Sequence, residues 1–147
     1  MRRRAASTAI LLVLAVAGPA AAQTATTRSA VGDLPFTVPA LRIDAPVAGL
    51  EGVAAGADHR CVATETLLWP LAPGDPRRDG IVETTLDRLR DRGHALARID
   101  APGPGRAVVA EGGTGTGLIL LWTGADDGLR LGLCDLGPPA RAPAGVG

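Results

Sequence analysis

The sequence predicts an α+β domain, with one or two helices packed on a four-stranded antiparallel meander sheet as two layers held by a disulfide. Three observations carry this expectation. One segment repeats apolar residues at helical spacing, and the stretch after it breaks into short apolar runs punctuated by glycine and proline. The only two cysteines, Cys61 and Cys134, bracket both. A length of 147 residues allows one such domain.

In chain order, residues 1–22 read as a secretory signal peptide. Arg2, Arg3 and Arg4 supply the positive start, and Ile10 to Ala17 a short apolar run. Gly18-Pro19 breaks that run, and Ala20-Ala21-Ala22 gives the small residues a signal peptidase requires. Cleavage after Ala22 leaves Gln23 first and places the protein in the periplasm or outside the cell. The apolar run is too short for a stable membrane span after cleavage. Lys, Asn and Tyr are absent and every basic residue is Arg. These three residue types have AT-rich codons, which points to a GC-rich bacterial genome.

Residues 23–56 read as a Pro/Ala-rich extended arm, partly docked or disordered. Pro35, Pro39 and Pro46 each push the preceding residue toward extended geometry. Residues 57–136 form the expected α+β domain. Within it, residues 60–70 admit a strand or a short helix ending before Pro70, and the spacing of Cys61, Glu65 and Leu68 favours the helix. A longer helix is expected from Pro76 to Arg92. Asp75 stands at its start, Val82, Leu86 and Leu89 recur at helical spacing, and Gly93 stops it. Four strands follow over Leu96–Ile99, Arg106–Glu111, Leu118–Trp122 and Leu129–Cys134, the last pair joined by the hairpin turn Asp126-Asp127-Gly128. Residues 137–147 read as a disordered Pro/Gly/Ala tail.

Composition narrows the function. Fifteen Arg balance fifteen acids, and loss of the signal peptide removes three of the Arg. A mildly acidic exported chain has little reason to bind nucleic acid. In an oxidising compartment an even cysteine count predicts a Cys61–Cys134 disulfide, with the two Cα atoms about 4.4–6.8 Å apart. That bond removes Cys61 from any metal set built on Asp58, His59 and Cys61, so no metal and no cofactor are expected. Redox catalysis is also disfavoured, because no C-x-x-C spacing occurs. After cleavage Ser29 is the sole serine, and it lies in the arm. The run Gly112-Gly113-Thr114-Gly115-Thr116-Gly117 resembles a phosphate loop in composition only. It lacks the lysine and leads into a strand, so it reads as a hairpin loop.

The expected function is therefore a small exported non-enzymatic module that acts by protein contact or small-ligand binding. Trp69, beside Pro70, is the candidate contact for a protein partner. Two alternatives stand beside it. One is a small periplasmic hydrolase-like enzyme, or an accessory subunit of one, using His94 or His59 with a carboxylate. The other is a protease-inhibitor-like protein presenting Pro102–Arg106 or Pro70–Pro76 as a rigid loop.

Overall fold

The computed structural model describes residues 24–138. The expected signal peptide, and all of the expected tail beyond Pro138, lie outside the described residues. Seven strands and two helices follow one another as β1 (Thr24–Arg28), β2 (Pro35–Ile43), α1 (Leu50–Gly56), β3 (Ala63–Trp69), α2 (Arg77–Asp91), β4 (Ala95–Ile99), β5 (Arg106–Glu111), β6 (Leu118–Ala125) and β7 (Gly128–Asp135). The strands form one sheet in the order β1-β2-β3-β7-β6-β5-β4, antiparallel throughout.

This corrects the expected four-stranded sheet. The meander β4-β5-β6-β7 is present, but it makes only one half of the sheet. The other half is β1, β2 and β3, drawn from the segment read as an arm and from the segment read as a short helix. Two physical reasons account for the difference. Pro35 and Pro39 fall in the part of β2 with no β3 neighbour, since the β2–β3 register covers only Leu41 to Ile43. A proline without a donor is tolerated there. In β3 the residues Glu65 to Trp69 are all buried, because this strand lies inside the sheet with both faces covered. Such a run has no alternation to separate strand from helix.

The two-layer expectation is corrected as well, since the helices take opposite faces. Along β6, Leu118, Leu120 and Trp122 join Ile81, Val82, Leu86 and Leu89 of α2 in one core. The alternate residues Ile119 and Leu121 join Leu50, Val53 and Ala54 of α1 in a second core. The period-2 alternation of side chains thus divides one strand between two cores. The α2 helix occupies nearly the expected range. Asp75 accepts a hydrogen bond from the Arg77 N–H at 2.9 Å at its start. A disulfide joins Cys61 to Cys134, with the Cα atoms 5.1 Å apart. Among the described residues no helix is long and apolar enough to cross a membrane.

Candidate functional site

At the end of α2 the chain reverses at Arg92 and Gly93. Gly93 has φ of 84°, a left-handed geometry that glycine adopts freely. The His94 N–H then donates to the Leu89 carbonyl at 3.1 Å. This turn carries the His94 side chain inward, where only 6% of the residue remains exposed. The glycine-rich loop between β5 and β6 lies directly over the ring. A Cβ placed on Gly113 would stand 2.6 Å from the His94 Cγ and 2.7 Å from its Nδ1, so only glycine allows this approach. The Thr114 N–H donates to the Arg92 carbonyl at 3.0 Å and ties the loop to the helix end.

The third wall is the β1–β2 turn. Ser29 is buried within it. Its hydroxyl donates to the Val31 carbonyl at 2.6 Å and accepts from the Leu34 N–H at 2.8 Å. The serine therefore pins a turn, and both of its hydrogen-bonding roles are in use. The Arg92 guanidinium reaches across to the same turn. Its Nη1 donates to the Gly32 carbonyl at 2.6 Å and its Nη2 to the Asp33 carbonyl. Turn, helix end and loop enclose a cleft of about 500 Å³ lined by Gly32, Asp33, Arg92, His94, Thr114 and Thr116, among others.

The electrostatics follow from these contacts. The Asp33 carboxylate pairs with Arg28 at 2.8 Å, and hydrogen bonding to Arg28 holds its pKa below the usual carboxylate value. Burial, reinforced by the nearby Arg92 charge, lowers the pKa of His94 below the ordinary imidazole value and favours the neutral ring. The His94 Nδ1 is buried and has no hydrogen-bond partner within the protein. Behind the turn the buried Glu65 carboxylate pairs with Arg42 at 2.8 Å and accepts the Ala30 N–H with both oxygens.

The other sequence-derived candidates lie elsewhere. The Nε2 of His59 stands 3.2 Å from the Glu111 carboxylate, and both side chains are partly exposed. Cys61 and Cys134 are bonded to each other, so neither is a thiol. Among the described residues no three His, Cys, Asp or Glu side chains are grouped so as to hold a metal. Trp69 is a correction. It is fully buried, donates its indole N–H to the Val38 carbonyl at 2.9 Å, and packs against Phe36 and Trp122 at centroid distances of 5.0 and 6.0 Å. An aromatic ring enclosed in this way holds the core and offers a partner no surface. The Pro70–Pro76 loop is pinned by Arg78, which donates to the Leu71 carbonyl from both Nε and Nη2. Pro102 and Ala101 border a separate groove of about 590 Å³, somewhat larger than the His94 cleft, against Gly52, Val53 and Gly56 of α1.

Sequence reasoning named His94 but missed its companions. Arg92 read as the last residue of the expected helix, and Gly113 as one glycine of a hairpin loop. The tripeptide Arg92-Gly93-His94 at a helix stop was the available signal, because a C-terminal glycine turn redirects the next side chain. No known protein family, curated protein or solved structure matches this chain.

Proposed function

We propose that this chain is an exported, non-enzymatic binding module whose small ligand occupies the His94 cleft. One observation carries the reading, namely the buried His94 Nδ1 with no partner in the protein, set in the wall of a cleft where three separate segments converge. A buried polar atom left unpaired costs about 1–3 kcal/mol, and because Nδ1 is closed off beneath the Gly113 loop, a ligand that hydrogen-bonds to it removes that cost only with a shift of the loop. Three other buried atoms, Arg106 Nε, Trp122 Nε1 and Arg130 Nε, also lack partners, but none of these residues lines this cleft. Export is supported by the N-terminal pattern of residues 1–22 and by the disulfide, which suits an oxidising compartment.

The test is a nuclear magnetic resonance screen of small polar fragments against the secreted protein. Saturable shifts confined to the amides of Gly32, His94 and Thr114 to Leu118 support the reading. Shifts confined to the α1 groove, or none for any fragment, overturn it. N-terminal sequencing of the same material is expected to begin at Gln23.

The His59–Glu111 contact favours one second reading, a hydrolase-like activity in which the carboxylate orients the imidazole as a general base. It predicts hydrolysis of an activated ester that His59→Ala abolishes and His94→Ala leaves intact.

A further inference from the structure

We infer that the His94 cleft takes a small organic monocarboxylate, with the Arg92 guanidinium as its electrostatic anchor and the His94 imidazole as its hydrogen-bond partner. The inference rests on the reading of this cleft as a ligand site and names the class of ligand.

The charges around the cleft point to a single negative charge. On β1, Arg28 is paired with Asp33 of the turn. On β2, Arg42 is paired with Glu65 of β3. Glu111, at the base of the glycine-rich loop, is engaged with His59. Asp135 of β7, the register partner of Leu118, accepts the Gly137 N–H at 2.8 Å. Arg92 differs from the other two arginines, because its recorded bonds go to the main-chain carbonyls of Gly32 and Asp33 and leave its charge without a carboxylate of its own. Those bonds use two of the five N–H groups a guanidinium carries. Glu111 and Asp135 keep their negative charges but do not line the cleft; at the turn itself Arg28, Asp33 and Arg92 leave one unit of positive charge, which matches a carboxylate better than a dianionic phosphate.

The remaining wall agrees with this class. Thr114 and Thr116 offer hydroxyl groups, while Ala30 supplies a small exposed apolar surface for a short aliphatic group. Carboxylate binding by a planar guanidinium fork is a favoured geometry. A linked consequence follows at His94. Burial and the Arg92 charge favour the neutral imidazole in the free protein, and a bound carboxylate offsets that charge. The protonated ring, which donates from both nitrogens, then becomes more favourable. Binding takes up a proton at His94, so affinity rises as the pH falls.

The experiment titrates the secreted protein with propionate, its neutral isostere propionamide, and inorganic phosphate, following backbone amide shifts at pH 5.5, 6.5 and 7.5. Propionate is expected to saturate the amides of Asp33, His94 and Thr114 to Thr116, about tenfold or more tighter than propionamide. Its affinity is expected to weaken between pH 5.5 and 7.5 by no more than about tenfold per pH unit, the ceiling for one linked proton. His94→Gln is expected to bind propionate without that slope, and Arg92→Gln to lose the preference over propionamide.

Equal binding of propionate and propionamide at these amides overturns the carboxylate inference and leaves the cleft standing as a ligand site. Tighter binding of phosphate than propionate overturns it in the same way. If none of the three probes moves these amides, the carboxylate inference fails. If glycerol and glucose also leave them unmoved, the cleft reading falls with it. Should Arg92→Gln fail to fold, the contrast between propionate and propionamide on the native protein still decides the matter.

Discussion

Replacing Gly113 with alanine tests whether the loop truly rests on the His94 ring. The added Cβ would stand 2.6 Å from Cγ and 2.7 Å from Cδ2 and Nδ1 of the imidazole. Carbon atoms at ease sit about 3.5–4.0 Å apart, so ring or loop must give by roughly 1 Å. Gly113 is not among the residues of positive φ, so alanine meets no backbone penalty there. Overpacking of this kind costs about 1–3 kcal/mol. The restricted unfolded chain offsets about 0.4–1 kcal/mol of that. Gly113→Ala is therefore expected to destabilise by up to about 2.6 kcal/mol, with a midpoint of about 1.3 kcal/mol that corresponds to roughly 5 °C in melting temperature for a domain of this size. In a His94→Ala background the clash is gone and only the unfolded-state gain remains, so the same substitution is expected to stabilise by about 0.4–1 kcal/mol. Urea and thermal melts of the four proteins make a double-mutant cycle. An equal effect of Gly113→Ala in both backgrounds would refute the packing argument.

Leu86→Asp places an unpaired carboxylate where α2 meets the sheet, at a side chain that is 1% exposed, and is expected to abolish the cooperative thermal transition. Reducing Cys61–Cys134, which closes a sequence separation of 73, is expected to cost about 4 kcal/mol by chain-entropy reasoning, read as a lower urea midpoint with dithiothreitol. The lowered His94 pKa gives a pH dependence of definite sign. Its contribution is complete above the unfolded value of about 6.5 and is lost as the pH falls through that value toward the lowered folded one. Urea midpoints are expected to drop from pH 7.5 to 5.5 more in the native protein than in His94→Gln, and parallel slopes would contradict the assignment.

Local pattern and long-range placement differ in how far the sequence reveals them. The α2 helix was legible because Val82, Leu86 and Leu89 share one face, and all three are buried as that spacing requires. The strands from β4 to β7 were legible because Gly, Pro and Asp punctuate them. The β1–β3 half was hidden by Pro35 and Pro39, whose tolerance depends on the missing β3 neighbour, a fact of the sheet and not of the local chain. Trp69 was misread because an aromatic residue followed by proline looks like a segment edge, whereas β7 pairs along the whole of β3 as far as Trp69. At the candidate site His94 was visible as a rare residue. The bond from Arg92 to Gly32 spans 60 residues of sequence, and no periodicity records such an approach.

The place of β7 in the sheet bears on how the molecule comes together. It is the latest described strand in chain order, yet it occupies the centre, between β3 and β6. Until Gly128–Asp135 arrives, the β1–β3 and β4–β6 units have no strand to join them, and each presents an open edge. Assembly is therefore held back to a late step, because the non-local pairing must await the closing segment. That order lets the β1–β3 and β4–β6 units form separately before they are joined. It also gives the cysteine bridge a timing function. Cys134 rides on the closing strand, so oxidation is favoured only once that strand has docked, and the sulfur–sulfur bond records that the sheet is complete.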